Sequence, residues 1–253
     1  MKNEAVLLFS VLLLTGCSVK EDRSGCPAFL NLSLSDRALM LARDLPVKLL
    51  VSDAKGEDTL LLDAFNPSVW HEVEKGMVTV ESLLSNGAGT SIAWGAQSDS
   101  LWASVDRFYI EEEQAHRQLR LHKRFATIWF IFDEGMPLDD YSFLIQGYVA
   151  GTDLTKMSPM TGDFRYLLAV REWTASVRLP PQKSDSPIIF RCNDASTGKR
   201  LWDWDLSKEL LQAGYDWEAE DLKDAKVYIH LAPLSFSLII GSWKDGGEIS
   251  GII

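Results

Sequence analysis

The sequence predicts an all-β protein: two antiparallel β-sandwich domains in tandem, with one short helix in the C-terminal half. Three observations predict it. Apolar and polar residues alternate in short runs, the period of a half-buried strand. Turn residues punctuate those runs every ~8–12 residues, the spacing of sandwich strands. The composition, 46% hydrophobic and 10% aromatic with nine tryptophans, supplies ample core for 253 residues, a length that suits one large or two smaller domains.

The elements follow in order. In FLNLSLSD (29–36), Leu30, Leu32 and Leu34 alternate with Asn31, Ser33 and Ser35. PVKLLVSD (46–53) sets Val47, Leu49 and Val51 on one face, and TLLLDAF (59–65) completes a hairpin around Gly56. GMVTVESL (76–83) is the next strand, and SNGAG (85–89) is a turn of the Asn-Gly type. TSIAWGA (90–96) and LWASVDRFYIEEE (101–113) follow. ATIWFIFD (126–133) is a continuous apolar run of β-forming residues, as in a central strand covered on both faces. YSFLIQGYVAG (141–151) alternates again. FRYLLAVREWTASVRLP (164–180) reads as one long strand or two short ones. SPIIFRCND (186–194), the turn ASTG and KRLWDWDL (199–206) form a hairpin. DLSKELLQAGYDW (205–217) reads as a helix of two turns, with Ser207 as N-cap and Gly214 at its end. KVYIHLA (226–232) and LSFSLIIGSW (234–243) are the closing strands.

About fourteen strands make two sandwiches of about seven each. The expected domains are 28–152 and 153–253, divided within GTDLTKMSPMTGD (151–163), the longest stretch without a strand pattern. No tandem repeat or low-complexity segment is visible.

The N-terminus is of another kind. Lys2 precedes an apolar run from Ala5 to Leu14, shorter than the ~20 residues of a bilayer span and proportioned like the core of a secretory signal. LTGC (14–17) resembles the lipobox of bacterial lipoproteins. Leu14, Thr15 and Gly16 match its positions, Cys17 is the lipid acceptor, and residues 1–16 are the signal peptide. The resemblance implies a diacylglycerol on the Cys17 thiol and a further acyl chain, such as palmitate, on the new amino group; several chains anchor a protein stably where one does not. Lys20, Glu21 and Asp22 resemble the surface-export signal of Bacteroidetes lipoproteins, within a tether over 17–27. Setting Cys17 aside leaves Cys26 and Cys192. An extracytoplasmic setting permits a disulfide between them; two unrelated thiols are the alternative.

The net charge of −11 and the scarcity of basic clusters exclude nucleic acid as a partner. His71, His116, His122 and His230 make no metal-type spacing. GAGTS (87–91) lacks the lysine and helix of a phosphate loop and reads as a hairpin turn. EEE (111–113), LDDY (138–141) and EAED (218–221) read as solvated turns rather than calcium or glycosidase carboxylates. The expectation is a protein that is not an enzyme, with no cofactor and no metal. Trp202 and Trp204 in LWDWDL would share one strand face. A sugar platform is one reading; core, with Asp203 and Asp205 on the wet face, is the favoured one.

Taken together, the lipobox, DRSGCP (22–27), HKRFATIWF (122–130), YDWEAEDLKDAKVYIHL (215–231) and SFSLIIGSW (235–243) resemble the fimbrial anchor-subunit lipoproteins of Bacteroidales, the FimB/Mfa-type minor fimbrium anchoring subunits. The tail KDGGEISGII (244–253) departs from that pattern. The resemblance implies two transthyretin-like sandwiches on a lipid anchor, exposed at the cell surface on the outer membrane. It implies a role in anchoring a fimbrium, or forming a minor or accessory part of it, with a fimbrial shaft or accessory subunit as partner. It also implies assembly by strand exchange, in which main-chain hydrogen bonds give affinity and alternate side chains fill pockets. The candidate donor is Ser235–Ile240 with its tail, docking Phe236, Leu238 and Ile240 in a partner's groove; the alternative is that this strand closes its own sandwich. A surface adhesin or glycan-binding module is the second functional reading.

Overall fold

The structure, a computed structural model, describes residues 25–86, 91–231, 234–241 and 248–252. Strands β1 (Ala28–Leu34), β4 (Ser68–Val73) and β7 (Gln114–Leu119) form a sheet in the order β4-β1-β7. Strands β2 (Val47–Ser52), β3 (Glu57–Leu62), β5 (Gly76–Ser85), β6 (Leu101–Ile110) and β8 (His122–Lys123) form a second, in the order β3-β2-β5-β6-β8. The alternation seen in the sequence sets their inner faces. Leu30, Leu32 and Leu34 from one sheet meet Val47, Leu49, Val51, Val78 and Val80 from the other in one buried cluster.

The remaining strands build a second sandwich. β9 (Ala126–Phe132), β12 (Thr174–Leu179), β15 (Ala225–Leu231), β16 (Leu234–Ile240) and β17 (Glu248–Ile252) run in the order β12-β9-β15-β16-β17. β10 (Tyr141–Asp153), β11 (Ser158–Leu167), β13 (Ile189–Asp194) and β14 (Arg200–Asp205) run in the order β11-β10-β13-β14. Their shared core runs from Ala126 to Ile240.

The two sandwiches repeat one topology. β1 is antiparallel to β4 and parallel to β7; β9 is antiparallel to β12 and parallel to β15. In the facing sheets β3-β2-β5-β6 corresponds to β11-β10-β13-β14. The C-terminal sandwich adds β16 and β17 outside β15, at the edge where, among the described residues, β7 ends the sheet of the N-terminal one.

Three expectations need correction. The cores divide between Leu121 and Ala126, so a boundary at 152/153 would cut the hydrogen-bonded hairpin of β10 and β11. The stretch 151–163 looked unlike a strand because the register shifts twice there, between Gly147 and Val149 and between Val149 and Thr152; bulges break the period of two. Secondly, FLNLSLSD is not strand throughout. β1 ends at Leu34, and Ser35 caps a helix α1 (Asp36–Leu41), its Oγ accepting from the Ala38 N–H at 3.3 Å. Thirdly, the expected C-terminal helix exists as α2 (Leu206–Gln212), but Asp205 is its N-cap position and Ser207 donates to Asp205 Oδ1 at 2.6 Å. Gly214, at φ 79°, ends it. There the Tyr215 and Gly214 N–H groups donate back to the Leu210 and Leu211 carbonyls, the paired bonds of a Schellman stop.

The stretch 164–180 proves to be two strands, β11 and β12. Before β12, Arg171 and Thr174 exchange backbone hydrogen bonds across Glu172 and Trp173, both at positive φ. That is the geometry of a two-residue hairpin turn that Asn-Gly usually fills, so no turn signal marked it. The ASTG turn is as expected: Asp194 Oδ1 accepts from the hydroxyls and N–H groups of Ser196 and Thr197. Those bonds hold its carboxyl down at about 2.

Candidate functional site

Two segments named for their resemblance, HKRF and EAEDLKD, meet where the sandwiches join. Arg124 is 7% exposed. Its guanidinium donates to the carbonyls of Ala219 and Glu220 and, on the β10–β11 hairpin, of Met157. Burial pushes its pKa down, and the field of Asp221 works against that. Asp221 accepts a bidentate pair from Arg37 of α1, at 2.7 and 2.8 Å, and the Lys123 N–H at 2.7 Å. Burial disfavours its ionised form, but these bonds and the Arg37 charge outweigh burial and hold the carboxyl below the usual range. Lys123 Nζ reaches Asp224 at 2.6 Å. The basic run and the acidic loop thus neutralise each other within the chain and clamp the joint.

A second contact crosses the joint. From Ser91 to Ser100 the connection between β5 and β6 lies against the C-terminal sandwich. Ser91 bridges to Gly151, and the Ile92 N–H donates to Ala150 O at 2.7 Å. Further on, Ser98 N donates to Arg178 O, while Gln97 Oε1 accepts from Arg178 N and Ser100 Oγ from Arg178 Nη1. The expected strand 90–96 is this strap.

The expected site residues fall as follows. Leu14, Thr15, Gly16, Cys17, Lys20, Glu21 and Asp22 lie outside the described residues. Cys26 and Cys192 are not bonded. Cys26 is exposed ahead of β1, and Cys192 is buried in β13 of the other sandwich, where burial pushes its thiol up to about 11. Phe236, Leu238 and Ile240 are core residues of their own sandwich, at 4%, 0% and 5% exposure. β16 is paired on both sides, with β15 and with β17, so the self-closing alternative is the one observed. The tail that departed from the family pattern supplies β17. Trp204 is buried in the core and packs on Phe236 at 4.3 Å, while Trp202, partly buried, packs against that core and stacks on Phe190 at 5.4 Å. Asp203 is on the wet face, holding Arg191 at 2.7 and 3.0 Å.

Sequence reasoning missed the edge of β7, which among the described residues is bonded to β1 alone, and the strap. No local pattern marks either. Among the described residues no helix is long and apolar enough to cross a membrane, and no three metal-ligating side chains gather.

No family model and no curated protein matches the chain. Solved structures do. The fimbrial anchor protein Mfa2 from Porphyromonas gingivalis superposes with a TM-score of 0.61, over 86% of this chain and 98% of Mfa2, at 11% identity. The chain has the Mfa2 fold. The same fold occurs in a Bacteroides thetaiotaomicron protein proposed to bind polysaccharide, with a TM-score of 0.60, 13% identity and 89% and 98% coverage of the two chains. It occurs also in a proposed adhesin from that organism, at 0.57, 14% identity and 86% and 97% coverage. With identities this low the likeness to Mfa2 is one of architecture, and it extends over both sandwiches.

Proposed function

We propose that this chain is a surface-exposed outer-membrane lipoprotein that anchors a fimbrium, or forms a minor or accessory part of it, and joins a shaft subunit by strand complementation. The observation that carries this reading is the likeness over nearly the whole length of the fimbrial anchor protein Mfa2, in a chain whose residues 14–17 resemble a lipobox ending at Cys17. The lipid on Cys17 is the membrane attachment.

The comparison of the two sandwiches favours one place for the partner's strand. Where the C-terminal sheet continues from β15 to β16, the N-terminal sheet stops at β7 among the described residues. An incoming strand at β7 (Gln114–Leu119) takes the position that β16 fills in the other sandwich. An open edge is a template for pairing with another chain. β16 itself is a poor donor, since freeing it breaks pairings on both sides.

The experiment is capture of partners from the outer membrane. A shaft protein is expected to co-purify with the wild-type chain, and amide exchange of Gln114–Leu119 is expected to slow in the complex. A chain that leaves the membrane alone and monomeric overturns the anchor reading. Unchanged exchange at β7 in a stable complex overturns the edge assignment. Cys17→Ala is expected to abolish fatty-acid labelling and release the protein; membrane retention of that variant refutes the lipid anchor.

A further inference from the structure

The strap that crosses the joint carries Trp94, which is 70% exposed, more than any other tryptophan among the described residues. An exposed aromatic residue by itself is unremarkable on a protein surface. Trp94 differs in how it is held and in what lies beside it. It sits in a tight turn, where the Ala96 N–H donates to Ala93 O and Gly95 takes φ 76°. The strap is pinned on either side of that turn, at Ala150 and at Arg178. The guanidinium of Arg165 packs over the indole, 5.4 Å from its centroid, which fixes the ring through a cation–π contact while most of it stays open to solvent.

Trp94 forms one wall of a cleft of about 330 Å³ over the outer face of β10, β11 and β13. Tyr148, 55% exposed, lines the same cleft. Between the pairs Gly147–Phe164 and Val149–Thr161, Tyr148 alone on β10 opposes Gly162 and Asp163 together on β11. This is a β-bulge, a device that re-aims side chains and recurs beside binding sites. The bulge demands glycine: a Cβ on Gly162 would lie 2.8 Å from the Ala150 Cβ. Asp163, Gln146 and Arg165 also line the cleft. Gln146 and Arg165 are paired neighbours across the strands.

The charges balance. Arg191 at one side is already neutralised by its bidentate pair with Asp203. Arg165 and Asp163 offset each other. The cleft therefore presents two exposed aromatic side chains, an uncharged amide and a matched pair of ionic groups, with no excess charge to select an ion. A concave site of this size suits a small ring better than a protein surface, which needs ~800 Å² per partner. A pyranose has an apolar face of C–H bonds, which stacks on an aromatic ring, and a rim of hydroxyls, which both donate and accept. Gln146, Asp163 and Arg165 supply the complementary acceptors and donors.

We infer that the cleft between Trp94 and Tyr148 binds a pyranose unit of a neutral glycan. The site lies on the C-terminal sandwich, is completed by a strap from the N-terminal one, and uses neither Trp202 nor Trp204. None of its lining residues belongs to β7, so a strand on that edge would not use the residues that hold the glycan.

The test is affinity electrophoresis of the folded chain, without its lipid, through gels containing yeast mannan, arabinogalactan, xylan or soluble starch. Retardation is expected in at least one gel. Trp94→Ala is expected to weaken it about tenfold and Tyr148→Ala to weaken it in the same gel; both residues are exposed, so unchanged melting temperatures verify the fold. Trp70→Ala, which removes a half-exposed tryptophan of the N-terminal sandwich, is expected to leave retardation unchanged. Free passage through all four gels overturns the inference, and so does retardation that survives Trp94→Ala. Neither result bears on capture of a shaft protein, and loss of that capture leaves this assignment standing.

Discussion

The N-terminal sandwich is filled by aliphatic side chains and the C-terminal one by aliphatic side chains packed around a cluster of rings. The buried cluster of the first consists of Leu, Val, Ile and Ala, with Trp102 and Phe108 only at its margin. In the second, Phe190 stacks on Phe130 at 4.8 Å and on Phe143 at 5.6 Å, and Tyr215 packs on Trp217 at 4.4 Å. Yet strand order and pairing directions correspond, β4-β1-β7 to β12-β9-β15 and β3-β2-β5-β6 to β11-β10-β13-β14. The difference teaches that this topology rests on alternation and strand order, which two unlike sets of side chains satisfy equally. Cores tolerate such exchange when volume and pattern are kept.

Substitutions can break that comparison. The largest effect is expected at Phe190, fully buried and ringed by Phe130, Phe143, Trp202 and Trp204. Phe190→Ala is expected to cost about 4 kcal/mol, and the aliphatic counterpart Leu32→Ala about 3 kcal/mol. Calorimetry checks both: each variant should lower the transition of its own sandwich. A Leu32→Ala loss equal to or larger than that of Phe190→Ala would contradict the contrast between the cores.

A smaller effect tests whether the sandwiches act as one body. Arg124→Ala strips the donors from three carbonyls at the joint and is expected to cost about 2 kcal/mol, the range for hydrogen bonds from a charged group. The sharper readout is cooperativity, since the variant should melt in two steps that are further apart than in the parent. Two steps no further apart than in the parent would mean that the clamp does not couple the sandwiches.

The smallest effect is at Asp221. Its carboxyl is held below the ordinary range in the folded protein. Folding therefore favours its ionised form. The stabilisation is complete above the ordinary carboxylate pKa of about 4 and is lost as the pH falls through the depressed folded value. The pair with Arg37 is partly exposed, so its worth is at most about 1 kcal/mol. Asp221→Asn should melt slightly below the parent at about pH 6, with the gap closing towards about pH 3. A gap independent of pH would assign the effect to packing.

Much of the fold was legible because its signals are local. The run Leu30, Leu32, Leu34 and the run Val47, Leu49, Val51 report their inner faces directly, and Gly214 marks the end of α2. The Glu172-Trp173 turn was not legible, because its conformation is imposed on residues that do not prefer it. The bulges of β10 and β11 disguised a hairpin as a linker. Of the candidate sites, Phe236, Leu238 and Ile240 were read correctly as one face of a strand, but only β15 and β17 on either side decide that the face is the protein's own core. Trp94 looked like a strand residue in TSIAWGA, and nothing in the alternation of YSFLIQGYVAG singled out Tyr148.

The sequence by itself determined the all-β class, most strand positions and the helix α2, because alternation and helix-end signals are written in neighbouring residues. The tertiary structure alone decided where the two sandwiches divide, that they repeat one topology, that HKRF clamps EAEDLKD, and that Trp94 and Tyr148 face a common cleft. Those features are pairings between segments distant in the chain, fixed by which sheet edges and charges find each other once the strands have condensed, and no local period encodes them.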